Sequence, residues 1–199
     1  MVERNRAMYE ALFRSVTAKV TLTDVELNAL KSYFIPKKIR KRQYLLNAGD
    51  VCPHITFVEH GMLRSFMSDD EGRESIVQFA TEERWISDME SFFSGKEAAY
   101  NIEAIEDSEV LNLSRHAMDE MIEKLPVMER YFRLLMQNHI ISLQRRVVAY
   151  MSLSAEEKYL KLMDVYPEVI TRAPQQYIAS YLGITPETLS RIRKQISQR

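Results

Sequence analysis

The sequence predicts an α+β protein in which an antiparallel β sandwich or barrel is followed by one long helix and a helix-turn-helix. Two patterns support this prediction. Between Ile39 and Leu113, short runs with a period of two are separated by turn residues about every 8 to 12 positions, as in all-β folds. From Pro126 onward, apolar residues recur at steps of three and four, which is the period of helices.

Two helices are predicted before the strands. Apolar residues recur at every fourth position of the first helix: Met8, Leu12, Val16 and Val20. The run Thr23-Asp24-Val25-Glu26 has the residue order of a capping box and predicts the start of a second helix, which extends through Phe34. Pro36 is expected to end that helix, because its ring clashes with the preceding turn.

Six short strands are predicted next, at residues 43–46, 55–59, 62–67, 74–79, 101–105 and 109–113. The segments between them contain the glycine, asparagine and aspartate residues that favour turns: residues 47–50, 60–61, 68–72 and 106–108. Short strands at this spacing indicate an antiparallel sandwich or barrel.

The longest helical pattern extends from about Pro126 to Met151 and carries two apolar stripes. The first stripe consists of Val127, Tyr131, Leu134, Asn138, Ile141, Arg145 and Val148. The second consists of Phe132, Met136, Ile140, Leu143, Val147 and Met151. If one stripe covers the sheet, the other is free to meet a second copy, and Asn138 would then fix the register of a dimer. The alternative is a helix buried on both sides within one monomer.

The C-terminal segment has the pattern of a helix-turn-helix. Ser154-Ala155-Glu156-Glu157 caps a helix over residues 158–165. Beyond it, apolar residues mark the inner faces of two short helices: Ile178, Ala179 and Leu182 in one, and Leu189, Ile192 and Ile196 in the other. Gly183 supplies the turn between them, and Thr185 caps the second helix ahead of Pro186.

The outer face of the second short helix carries side chains suited to DNA. Glu187, Ser190 and Arg191 project together from its N-terminal half, where they can hydrogen-bond to base edges in a major groove. Four flanking residues are suited to phosphate oxygens: Thr185, Thr188, Arg193 and Lys194. The alternative is an ordinary helical hairpin with a solvated polar face.

Composition narrows the class of protein. The 199 residues are 46% hydrophobic and have a net charge of −1, as expected of a soluble globular protein. Residues 136–199 contain nine basic and five acidic residues, a balance of +4, so residues 1–135 carry −5. We expect a cytoplasmic protein, because no membrane-spanning run or leader is present. The sequence shows no recognisable arrangement of a catalytic nucleophile and no clustered histidines, so neither an enzyme nor a metal site is expected.

Two motifs resemble the Crp/Fnr superfamily of bacterial transcription regulators. The run from Tyr177 to Arg193 is similar to its DNA-binding hairpin, through Glu187-Thr188-Leu189-Ser190-Arg191. Gly49-Asp50 and the segment from Phe57 to Arg64 are similar to its cyclic-nucleotide-binding β-roll. The resemblance implies base reading by Glu187, Ser190 and Arg191, as in the Fnr-like branch. Pro186 stands where the Crp-like branch has an arginine.

The resemblance also implies an arrangement of domains. These are a β-roll or jelly roll (double-stranded β-helix) over residues 1–125, a dimerisation helix over 126–152, and a helix-turn-helix domain over 153–199. It implies a homodimer on a near-palindromic operator in double-stranded DNA, with RNA polymerase as a further partner if the protein activates transcription. The chain departs from the family because residues 167–173 are too few for the usual β-hairpin wing. We therefore expect a DNA-binding lobe of three short helices.

The resembling effector pocket lacks its usual residues. Where relatives that bind cyclic AMP have a Gly-Glu pair and an arginine, this chain has Ser87, Asp88 and Ala98, followed by Ala99. Because no cation meets the phosphate there, we expect no tight binding of cyclic AMP. Arg84 and Lys96 are close in sequence and either replace the missing arginine or are solvated surface residues. Trp85 and Tyr100 either line a ligand cavity or belong to the core.

Cys52 is the single cysteine, so a cysteine-ligated iron–sulfur cluster is not expected. These observations predict a dimeric, sequence-specific DNA-binding transcription regulator whose effector is unknown. The alternative is a ligand- or protein-binding signalling module without DNA binding.

Overall fold

The computed structural model describes residues 8–198, which form eight β-strands and nine α-helices. Its contacts divide the chain into two compact units. Among the described residues, the first unit comprises 8–67 and Gln78–Met136, and the second comprises Ser68–Val77 and 137–198. This division falls inside the long helix, and the domain boundaries at residues 125 and 152 remain a prediction.

The strands form two four-stranded antiparallel sheets. Their bounds are β1 Ile35–Ile39, β2 Tyr44–Leu46, β3 His54–His60, β4 Leu63–Ser68, β5 Glu74–Ala80, β6 Trp85–Ile86, β7 Asn101–Ala104 and β8 Ser108–Ser114. One sheet has the order β1-β8-β3-β6 and the other β2-β7-β4-β5. This confirms the predicted antiparallel β-roll.

Strand β1 was not predicted, because Pro36 was expected to do no more than end a helix. In the structure Pro36 lies within β1 and pairs with Leu111 of β8. Strand β1 is at the edge of its sheet, where the missing proline amide costs no interior ladder bond. The preceding helix ends earlier, at Leu30, and is followed by a 3-10 turn over Lys31–Tyr33.

The first unit also contains four shorter α-helices, two before the strands, one between them and one after them along the chain. They are α1 Glu10–Thr17, α2 Asp24–Leu30, α3 Met89–Ser94 and α4 Arg115–Lys124. Thr23 and Glu26 form the predicted capping box of α2. The long helix α5, Val127–Ser152, begins in this unit as well.

Tyr131 of α5 lies in the core of the first unit and not on a free face. Its side chain is fully buried, and its hydroxyl accepts a hydrogen bond from Trp85 Nε1 at 3.2 Å and shares another with Ser15 Oγ at 3.0 Å. Trp85 packs edge-on against Phe57 and Phe132. We therefore remove Tyr131 from the dimer stripe, because this aromatic cluster already covers it.

The rest of the chain is helical: α6 Ala155–Val165, α7 Pro167–Arg172, α8 Gln175–Leu182 and α9 Pro186–Ser197. Ser154 and Glu157 form the predicted capping box of α6. The expectation of three short helices is wrong, because residues 167–172 form a fourth one, in which Pro167 occupies the first helical position. None of the helices over residues 8–198 is both long and apolar enough to cross a bilayer.

A buried carboxylate holds the start of α1. Glu59 of β3 accepts hydrogen bonds from the amides of Ala11 at 2.6 Å and Leu12 at 3.1 Å, and only 8% of the residue is exposed. Burial raises the pKa of Glu59, and the two amides oppose that shift without cancelling it. The folded state therefore favours the protonated form of Glu59 more than the unfolded chain does.

We expect Glu59 to contribute to a pH-dependent stability. A raised carboxyl pKa gives stability that is fully present below the unfolded value near 4.5 and is lost as pH rises through the folded value. The free energy of unfolding of the wild type, relative to Glu59→Gln, should therefore be larger at pH 5 than at pH 7. Urea denaturation at both pH values measures this difference, with the exposed Glu120→Gln as control. A difference that grows with rising pH would contradict this account.

Candidate DNA-binding surface and sensor site

The turn of the helix-turn-helix is set by one glycine. Gly183 ends α8 with φ +68°, and its amide bonds back to the carbonyls of Ala179 and Ser180. The next helix begins at Pro186, and the Thr185 hydroxyl accepts a hydrogen bond from the Thr188 amide at 3.2 Å. Both ends are thus determined locally, as the sequence predicted.

An apolar seam fixes how α9 is rotated about its axis. Leu189 and Ile192 are buried in α9, and Ile178, Ala179 and Leu182 are buried in α8. The residues between the buried positions of α9 must then face solvent. Glu187, Ser190 and Arg191 are exposed and line one shallow concavity, together with Pro186 and Lys194.

The chemistry of this concavity suits base edges. Hydrogen bonds from its own amide and from the Thr185 hydroxyl lower the pKa of Glu187, so this carboxylate is charged at neutral pH and can accept from a cytosine amino group. The side chain of Arg191 makes no hydrogen bond or ion pair with any other residue between 8 and 198. Its guanidinium is therefore available for the two acceptors of a guanine.

The four residues assigned to phosphate differ in exposure. Lys194 is exposed beside Arg191, whereas Arg193 and Thr188 are partly buried. Thr185 is exposed, and its Oγ1 lies 3.2 Å from Thr188 Oγ1. Lys194 and Thr185 are therefore the exposed members of the set, and the assignment of all four to phosphate remains a proposal.

Two residues that the sequence analysis missed hold α8 in the second unit. Ser180 Oγ donates to the Glu74 carbonyl at 2.8 Å and accepts from the Ile76 amide at 3.0 Å. Arg146 of α5 donates to the carbonyls of Val77 and Ile76, and its guanidinium lies 4.4 Å from the centre of the Tyr181 ring. No local pattern reveals these contacts, because they join residues about 70 to 100 positions apart.

The segment from Trp85 to Tyr100 contains the predicted effector residues and is called the effector cassette below. Three of its backbone amides are occupied by the carboxylate of Asp88. Asp88 is 1% exposed and caps α3 by accepting from the Ser91 amide at 3.0 Å. Its other oxygen accepts from the amides of Ala99 at 2.9 Å and Tyr100 at 3.3 Å. A phosphate that used these amides would have to displace Asp88, and two buried anions cannot share one set of donors.

The remaining cassette residues are also engaged. Ser87 Oγ donates to the His54 carbonyl at 3.3 Å, and Ala98 is buried with its amide bonded to the Asp50 carbonyl at 2.8 Å. Ala99 is exposed and Tyr100 is partly buried. Trp85 belongs to the aromatic core described above, and none of these residues lines the cavity between the two sheets that is described below.

The C-terminal half of α5 leaves apolar side chains in solvent. Exposed residues of both predicted stripes include Met136, Ile140, Ile141, Leu143, Val147, Val148 and Met151. Val147 and Val148 are 58% and 61% exposed. Asn138 is exposed, Leu134 is partly buried, and Val127 packs against the core of the first unit. The surface formed by the exposed residues is called the α5 stripe below.

Known proteins are similar to this chain in sequence and in fold. Residues 36–125 match the cyclic nucleotide-binding domain family. The chain is 27% identical over 186 residues to the fumarate and nitrate reduction regulatory protein of Vibrio cholerae serotype O1, covering 86% of this chain and 73% of that protein. It is 25% identical over 187 residues to the regulatory protein HlyX of Actinobacillus pleuropneumoniae, covering 86% and 76%.

The fold is also similar to that of solved structures. FixK2 from Bradyrhizobium japonicum superimposes with a TM-score of 0.67 at 19% identity, over 83% of this chain and 85% of that one. Over most of its length the chain is thus similar in sequence to bacterial regulatory proteins, and residues 36–125 match the cyclic nucleotide-binding domain family.

Gly183 offers a direct test of the hairpin geometry. A Cβ at this position would lie 3.0 Å from Tyr150 Cε1, in addition to the strain of positive φ. We expect Gly183→Ala to lower the free energy of unfolding by about 2 kcal/mol or more. Gly72→Ala is the matched control, because Gly72 also has positive φ but no atom within 4 Å of its Cβ position. Urea denaturation that gave equal losses would show that contact with Tyr150 is unimportant.

Proposed function

We propose that this protein is a sequence-specific DNA-binding transcription regulator of the Crp/Fnr type that acts as a homodimer in the cytoplasm. The observation that carries the proposal is the exposed concavity of Glu187, Ser190 and Arg191 on a helix whose other face is buried. Regulatory relatives that align along most of the chain support the same function.

The dimer is proposed from the α5 stripe. A continuous row of exposed apolar residues on a long helix is costly in water and is covered when two such helices pair. A two-fold axis then presents two copies of α9 to DNA, and each reads one half of a near-palindromic operator in a major groove. RNA polymerase is the expected further partner if the protein activates transcription.

We propose that cyclic AMP is not the effector. The proposal follows from Asp88, which occupies the amide donors of the cassette, and from Ala98 and Ala99, which supply no cation. An iron–sulfur cluster is not proposed either, because Cys52 is the single cysteine.

Selection from a random duplex pool separates this function from a signalling module without DNA binding. The full chain should enrich a near-palindrome with half-sites about one helical turn apart. Its affinity should fall steeply as salt rises, because phosphate contacts release counterions. A pool that stays unenriched at low and moderate salt would favour the alternative.

We expect Arg191→Ala to weaken binding to the selected duplex by about 1 to 3 kcal/mol and to relax preference at one base position in each half-site. Lys194→Ala should weaken all sequences about equally and reduce the slope against salt by about 0.9 per lost contact. Lys161→Ala is the control, because Lys161 is an exposed cation on α6. Titrations by fluorescence anisotropy measure all three, and unchanged preference in Arg191→Ala would refute the assignment.

We expect Val147→Glu to weaken the dimer at least about thirtyfold, because burial of an unpaired charge costs about 2 kcal/mol or more. Ser142→Glu places the same charge about 140° around the helix and should leave the dimer intact. Sedimentation equilibrium measures both dissociation constants. Equal effects of the two substitutions would remove the α5 stripe from the proposed interface.

A further inference from the structure

The first unit contains a cavity that the cassette does not form. It has a volume of about 120 Å³ and lies between the two sheets, because strands of both contribute to its wall. Its lining consists of Lys37, Leu45, Leu46, Cys52, Pro53, His54, Thr56, Ile102 and Asn112. None of the residues predicted for an effector belongs to this set.

The inner wall carries an unused hydrogen-bond donor. Thr56 and Asn112 face each other on β3 and β8 and are 2% and 5% exposed. Thr56 Oγ1 donates to Asn112 Oδ1 at 2.9 Å. Within residues 8–198, the side-chain amide nitrogen of Asn112 donates no hydrogen bond. Every side-chain nitrogen or oxygen in this range that is closed off from solvent does have a hydrogen-bond partner, so this nitrogen must be accessible. The amide therefore reaches the cavity, where it needs an acceptor.

The mouth of the cavity is electropositive. Lys37 is exposed there and makes no ion pair with any other residue between 8 and 198. His54 is partly buried, and burial followed by the nearby charge of Lys37 lowers its pKa, so its imidazole is neutral at pH 7. No carboxylate belongs to the lining. A ligand with a negative end is therefore favoured over a neutral or cationic one.

We propose that this cavity binds a small organic acid, with its carboxylate at Lys37 and a hydroxyl or carbonyl oxygen accepting from Asn112. The size follows from the volume, since a cavity of about 150 Å³ holds benzene and this one therefore takes about four to six non-hydrogen atoms. Leu45, Leu46 and Ile102 enclose the carbon skeleton. Only the role of such an acid as an effector rests on the proposed function; its binding does not.

The test follows the Asn112 side-chain amide of the full ¹⁵N-labelled chain by NMR, without DNA. The probes are glycolate, lactate and two analogues of lactate, all measured at constant ionic strength. Propionate lacks the hydroxyl of lactate, and lactamide lacks its negative charge. We expect saturable shifts with lactate or glycolate, and binding about tenfold weaker or more for propionate and for lactamide.

Two lysine variants provide the matched control. Lys37→Met should weaken lactate or glycolate binding about tenfold or more, whereas Lys38→Met should leave it within about twofold. Lys38 is the adjacent exposed residue of β1, but it is ion-paired with Glu109 at 2.5 Å and lies outside the cavity lining.

Three results would overturn the proposal. These are no saturable shift, which would mean that water alone occupies the cavity, equal binding of lactamide, or equal loss in both lysine variants. Because no DNA is present, each result is independent of whether the chain selects an operator.

Discussion

Burial of Leu189 and Ile192 is the constraint on which the proposed DNA-binding surface depends. A helix has one rotation about its axis that places both residues against α8, and that rotation directs Glu187 and Arg191 into solvent. Gly183 makes the approach of the two helices possible, because its positive φ and missing side chain allow a tight turn beside Tyr150. The hydrogen-bond donors and acceptors proposed to read DNA are therefore oriented by apolar packing and not by contacts of their own.

The first unit uses the β-roll of a cyclic nucleotide-binding domain with different chemistry inside it. Asp88 is an internal anion that occupies three backbone donors of the cassette. Among the described residues, the side-chain amide of Asn112 donates to no protein group and Lys37 makes no ion pair, and both line the cavity between the two sheets. The proposed binding cavity therefore lies at a different place in the fold from the effector cassette.

Much of this could be predicted from the sequence, because the helix-turn-helix and the capping boxes are local. Gly183 and Thr185 act within a few residues of their own positions, and their roles followed from residue type alone. Some of the errors involve contacts between residues that are far apart in the chain. Tyr131 fitted a heptad stripe, but its hydroxyl is hydrogen-bonded to Ser15 and Trp85 in the core. The donor of Asn112 is likewise visible only when β8 is placed beside β3. A polar residue at an inward position of an otherwise apolar strand was the available indication.

The central claim is that a paired helix holds two copies of α9 at a fixed separation on one face of DNA. The most direct test measures affinity for duplexes in which two half-sites are moved apart by one base pair at a time. The account predicts a sharp maximum when their centres are about 10 base pairs apart and a loss near 15, where the second half-site faces the opposite side of the duplex. Affinity that did not depend on spacing would contradict it.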